Sequence, residues 1–161
     1  VYDPKSIERM LEYAENKYLV VVGHMLDSRT NVLVLSSLMF LTNAMVAFLN
    51  KYYLYAHLFL FLTITSLIVH TFNNIYTNII DKIAISFVII YGGFVLFQKM
   101  SVKHAFTCFL IILTFLLTIY LYIYGYMNKV YCFSEDSRIA NAYHSILHML
   151  SSLGHNLIII L

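Results

Sequence analysis

The chain has 161 residues, of which 61% are hydrophobic and only 11% charged, with a formal net charge of +2. A soluble domain of this length needs far more polar surface, and the few basic residues are scattered, so neither a soluble fold nor a nucleic-acid-binding stripe fits. Apolar runs of about 20 residues recur, the length that crosses a hydrocarbon core about 30 Å thick, and they predict an all-α, polytopic membrane helix bundle.

The first residue is Val1 rather than Met, which reads as a processed product or a fragment, and the residues after it lack the layout of a signal peptide. Asp3 and Pro4 read as a helix cap and first helical position, and Ile7, Met10, Leu11, Ala14 and Tyr18 recur at helical spacing. Glu8, Arg9, Glu12, Glu15 and Lys17 fill the opposite face, so residues 1–30 are expected to form an amphipathic segment lying on the membrane surface or docking on a partner. The run Leu19 to Val22 is too short to span.

Residues 31–161 are expected to form a transmembrane domain of five helices: Val32 to Leu49, Tyr53 to Phe72, Ile79 to Phe97, Ala105 to Tyr126 and Ile139 to Leu161. Lys51, the Lys99 to Lys103 segment and the Lys129 to Arg138 segment separate them, and Tyr52, Tyr53, Tyr122, Tyr124 and Tyr126 suit an interfacial aromatic belt. An odd number of spans puts the two termini on opposite sides. Lys17, Arg29, Lys82, Lys129 and Arg138 fall on one side against Lys51, Lys99 and Lys103 on the other, a bias too slight to set orientation. Gly92, Gly93 and Gly154 read as points of close helix approach, Asn73, Asn74 and Asn78 as turn formers, and Cys108 and Cys132 as unpaired thiols.

Five polar residues interrupt the apolar runs at telling positions. Ser66 and His70 stand four apart near the end of the second span, and His144 and His148 repeat that spacing at the start of the fifth, so each pair shares a helix face. Asp81 opens the third span. Successive spans alternate direction, so all five side chains reach a similar depth at one membrane face. Taken singly, each is more often a hydrogen-bonding contact between helices. Together, two histidines from one helix and a third from a neighbour supply the three-ligand zinc site that leaves a position open for water, whose pKa the ion lowers towards 7. Asp81 is then placed to orient or deprotonate that water, and Ser66 to steady it or a developing oxyanion.

The pattern Ser66-x3-His70, Asp81 opening the next span, and His144-x3-His148 in the last span resembles the signature of the CREST superfamily. That superfamily includes the alkaline ceramidases, the adiponectin and progestin receptors and the hemolysin III proteins. The final span from Tyr143 to Ile160 is similar to the ceramidase ending, and the stretch from Asp81 to Gly93 to the corresponding hemolysin III helix. The resemblance implies that His70, His144 and His148 hold Zn2+, that Asp81 and Ser66 contact the water, and that the substrate is a membrane lipid cleaved at an amide or acyl bond. Family members typically have seven spans, so one span here replaces three between the aspartate helix and the histidine-pair helix, and Val69 and Leu147 stand where aromatic residues often precede the motif histidines.

Two other classes compete. A non-catalytic accessory subunit of a larger membrane complex, such as a mitochondrial respiratory assembly, would keep the zinc as a structural staple among other membrane subunits. A b-type haem anchor would use histidines from two spans, and His70 followed eleven positions later by Asp81 resembles the small anchor subunit of succinate dehydrogenase. These readings leave the organelle open between the endomembrane system and the mitochondrial inner membrane. Among the remaining histidines, His57 reads as interfacial, His24 and His104 lie outside or at the ends of spans, and His155, seven residues beyond His148, reads as a helix contact or a residue lining the site.

Overall fold

Hydroxyl and amide side chains at the ends and bends of the apolar runs set where each helix begins and turns. The computed structural model describes the backbone of residues 4–26, 28–72 and 74–161 and the side chains of residues 6–19, 32–72 and 74–161. The expected cap at Asp3, the turn at Asn73 and the side chains of His24 and Arg29 lie outside those residues. No strand occurs among the described residues.

Helix α1 spans Pro4–Leu26 and runs on through the short apolar stretch after Tyr18 rather than stopping before it. Ile7, Met10, Leu11, Tyr13 and Tyr18 are exposed along it, and its packing within the chain is on α2. The first apolar run is bent. Helix α2 (Ser28–Ser37) stops and α3 (Met39–Leu49) restarts one residue later, with the Leu38 amide donating to the Leu35 carbonyl at 3.2 Å. The Ser36 and Ser37 hydroxyls both donate to the Leu33 carbonyl at 2.9 Å, a back-bonding that bends helices and satisfies main chain where no water is at hand.

A tight turn with Lys51 in the left-handed region (φ 65°) joins α3 to α4 (Tyr53–Thr71). Helix α5 (Ile75–Lys99) begins with a capping box: Asn74 Oδ1 accepts from the Tyr76 and Thr77 amides at 2.9 and 3.0 Å, and Thr77 Oγ1 accepts from the Asn74 amide at 3.1 Å. The helix thus starts ahead of the expected Ile79, and Asn78 lies within it rather than in the loop. Helix α6 (Ala105–Ile119) passes through a π turn, Tyr120–Tyr124, into the short α7 (Gly125–Asn128). Asp136 then caps α8 (Ser137–Ile160), accepting from the Arg138 amide at 2.8 Å.

Among the described residues, four stretches are long and apolar enough to cross a membrane: Val32–Leu49, Tyr53–Thr71, Ile75–Lys99 and Val102–Phe133. Helix α8 has 24 residues, about 36 Å of rise, yet is not among them. The reason is its polar content. Ser145, His148, Ser152 and His155 lower its hydropathy, and all four are buried because α8 packs against α2, α3, α5 and α6. The outward faces of the other helices carry Phe, Leu and Ile while these polar groups face inward, the arrangement expected where the solvent is lipid.

In lipid, apolar contact between helices gives little net gain, so association rests on close packing and hydrogen bonds. Tyr55 and Phe59 of α4, Val88 and Val95 of α5, Ile111 of α6 and Ile158 and Ile159 of α8 form the tightly buried centre. Asn43 donates to the Ser152 carbonyl at 2.8 Å and accepts from the Ser152 hydroxyl at 2.7 Å, tying α3 to α8. Gly154 lets α8 approach α6, since a Cβ there would lie 2.5 Å from Thr114 Oγ1. Gly92 faces Tyr55 and His155, whereas Gly93 faces open space and makes no close approach. Lys99 Nζ donates to the Ile158 and Ile159 carbonyls at 3.1 and 2.5 Å and lies over the Tyr52 ring, capping α8 from α5.

Candidate metal centre

Histidines on two helices meet because α8 packs beside α4 through α2 and α3. His70 lies in the last turn of α4, and His144 and His148 stand one turn apart early in α8. One ligand atom from each lies within 4.8 Å of the others, and the ring centroids are 4.8 to 5.3 Å apart. His148 is buried, and His70 and His144 are half-buried.

The hydrogen bonds fix one tautomer. The Ser36 hydroxyl has a single proton, which goes to the Leu33 carbonyl at 2.9 Å, so at 2.9 Å from His148 Nδ1 it must act as acceptor. His148 therefore carries its proton on Nδ1 and keeps the Nε2 lone pair for a ligand. This is how metal-binding histidines are commonly held, with the second ring nitrogen donating to a neighbour. His70 and His144 have no hydrogen-bond partner among the described residues, which leaves several imidazole nitrogens converging on one point without protein partners.

That donor set fits zinc. Three neutral imidazoles with an open fourth position are the ligands of catalytic zinc sites, and zinc–nitrogen distances of about 2.0–2.1 Å put tetrahedral ligand atoms roughly 3.4 Å apart. Closing from within 4.8 Å to that separation would take rotation of the half-buried His70 and His144 rings towards the buried His148. Haem fits less well, because the three rings contact one another, two pairs edge-on and the His70–His148 pair tilted, and leave no slot for a macrocycle between any two of them.

Asp81 is buried in the second turn of α5, and Thr65 Oγ1 stands 3.1 Å from both Asp81 Oδ1 and the Leu62 carbonyl; its single proton is shared between them, with the ionised carboxylate the stronger acceptor. Asp81 stands outside the mutually close triad and faces the same cavity, a placement suited to holding water rather than a metal. Ser66 Oγ lies 2.8 Å from Ser37 Oγ. The Ser37 proton is committed to Leu33, so Ser66 donates to Ser37 and turns its free lone pairs to other donors. It can accept from water as it stands, but it is not poised to donate to an oxyanion.

Ser66, Asp81, His144 and His148 open on a cavity of about 350 Å³ that continues between α5 and α6 to His155. Ligand sites begin at about 300 Å³, so this volume admits a small molecule or a length of acyl chain. Helices α5 and α6 each pack on α8 but not extensively on each other, and α8 forms the back wall. The cavity is thus walled by α5, α6 and α8 and is only partly enclosed.

All five candidate residues are brought to one region, as their spacing led one to expect. Three partners are not apparent from spacing: Ser36, Ser37 and Thr65. The Ser36–Ser37 pair interrupts an apolar run and was open to notice, but nothing local shows which helix it faces. Thr65 precedes Ser66 and reads as an ordinary helix residue until Asp81 is seen beside it. His57 donates to the Tyr53 carbonyl at the far end of α4, at 2.6 Å, away from the triad. No protein-family model matches the chain, and no curated protein or solved structure is significantly similar to it.

Proposed function

We propose that this is a membrane-embedded zinc protein with α8 as its fifth span, and that it hydrolyses an amide or acyl bond of a membrane lipid. The observation that carries the reading is the convergence of His70, His144 and His148, two of which line a largely apolar cavity, with one tautomer already set by Ser36. The resemblance to the alkaline ceramidase pattern points the same way.

Zinc held by the three imidazoles would supply a Lewis acid and a water acidified towards pH 7. The remaining roles belong to side chains. Thr65 holds the Asp81 carboxylate, which takes a proton from the attacking water as its oxygen bonds to the acyl carbon. The same carboxyl returns that proton to the departing nitrogen or oxygen as the scissile bond breaks, so no net proton is left on Asp81. Ser66 accepts a hydrogen bond from the water and limits its orientation. The apolar walls exclude bulk water and receive the acyl chain.

Metal analysis of the purified protein tests this directly: about one zinc per chain in the wild type, and none in a His144→Ala, His148→Ala double variant. Turnover of an N-acyl lipid panel by the loaded protein is the second requirement. A metal-free wild type would exclude the reading; one zinc with no turnover, and with stable partner subunits, would favour a structural site in a larger complex.

A further inference from the structure

His155 is a buried imidazole with no part in the triad. It sits on α8 two turns beyond His148, about 10 Å along the helix axis, and lines the deep end of the same cavity. Edge contacts with Phe59 and Phe115, at centroid distances of 5.3 and 5.0 Å, hold its ring. The Tyr55 hydroxyl is hydrogen-bonded to its Nδ1. Gly92 leaves room for the pair, since a Cβ there would lie 2.9 Å from His155 Cε1 and Nδ1.

The direction of that bond follows from burial. Tyr55 is fully buried, and His155 is its hydroxyl's hydrogen-bond partner among the described residues. Either tautomer leaves one donor without a protein acceptor, but a Tyr55 hydrogen turned away from Nδ1 would be sealed in the packed interior, at a cost of about 1–3 kcal/mol, whereas an Nε2 proton belongs to a ring that lines the cavity and can be met by its contents. Tyr55 therefore donates, and the imidazole proton resides on Nε2. That nitrogen has no protein partner among the described residues and belongs to a ring on the cavity wall. A cavity that also carries the Ser86, Thr118 and Ser151 hydroxyls on its lining thus has at His155 an N–H donor fixed by a buried partner.

We propose that His155, set by Tyr55, is a donor subsite for an oxygen carried part-way along a lipid chain whose acyl head lies at the histidine triad. The inference rests on the proposed reading for the position of the head. The recognised group is a hydrogen-bond acceptor such as a mid-chain hydroxyl or keto oxygen, at the depth that two helical turns impose. A plain alkyl chain would leave the Nε2 proton unpaired.

Binding tests it apart from catalysis. Octadecanoic acid, its mid-chain hydroxy derivative and the 2-hydroxy isomer are compared as displacers of a fluorescent fatty acid, with zinc-stripped and zinc-loaded protein in detergent. The wild type is expected to favour the mid-chain hydroxy acid roughly five- to tenfold over the other two, the scale of one added hydrogen bond. His155→Phe should reduce that preference to within about twofold. Tyr55→Phe, which keeps the ring but frees the tautomer, should weaken it, and His155→Gln should restore part of it. Equal affinities in the wild type, preference unchanged in both Phe variants, or no saturable binding of any of the acids would each overturn the subsite. Preference retained in a protein that binds no zinc would overturn the hydrolase reading while leaving the subsite standing.

Discussion

Ser36 accepts the Nδ1 proton of His148 across 2.9 Å and passes its own to the Leu33 carbonyl, so a bend in one helix fixes the protonation of a histidine on another. The bend and the triad are one structure.

Removing the hydroxyl should therefore weaken metal binding without touching a ligand. Ser36→Ala leaves His148 Nδ1 without its acceptor, and zinc affinity should fall about 10- to 100-fold, the usual effect of losing such a partner. Competition against a fluorescent chelator measures it. Unchanged affinity would mean that Ser36 only shapes the bend.

Thr65→Val removes the donor to Asp81 at nearly constant volume. Zinc content should be unchanged, while turnover of a cleaved lipid falls by roughly tenfold, in line with one hydrogen bond to a charged group. Metal analysis beside steady-state kinetics separates the two effects. Loss of zinc with loss of turnover would place Asp81 among the ligands instead.

The α6–α8 contact should be sensitive to a single methyl. Gly154→Ala puts a Cβ 2.5 Å from Thr114 Oγ1, a hydroxyl already held by the Ile111 carbonyl at 2.7 Å. Stability in detergent should drop by about 1–3 kcal/mol, and adding Thr114→Ala should recover most of it. Thermal unfolding of the two single variants and the double variant gives the coupling. Additive losses would rule out the contact as the cause.

The Asn43–Ser152 pair should matter for assembly rather than chemistry. Asn43→Leu leaves the Ser152 hydroxyl without its best acceptor and is expected to destabilise the bundle by about 1–2 kcal/mol while zinc content is kept. Denaturant unfolding followed by circular dichroism reads the first, and metal analysis the second.

The helical fold and the membrane character were legible because apolar run length is a strong signal, and four of the runs fold as helices of spanning length. The fifth run is less plain, since the polar face that gives α8 its site also lowers its hydropathy. The triad could be anticipated from i, i+4 spacing and alternating helix direction, which are local and topological. The partners could not. Which helix Ser36, Ser37 or Thr65 faces depends on rotation about helix axes, and that is set by packing at Gly154, Asn43 and the Leu38 bend rather than by spacing. The same limit applies to His155, whose spacing allows both a helix contact and a place on the cavity wall; the packing of Tyr55 and Gly92 decides.

The polarity of α8 also bears on how the protein is made. Three histidines and several serines on one 24-residue helix make insertion into lipid on its own unfavourable, because each polar group would face hydrocarbon without a partner. Helices α2, α3 and α4 hold those partners: Ser36 for His148, Asn43 for Ser152 and Tyr55 for His155. If α8 is the fifth span and the triad holds zinc, as proposed above, entry of α8 into the bilayer and completion of the triad would be a single event during biosynthesis, and a cell short of zinc would be expected to accumulate chains in which α8 has not gone in.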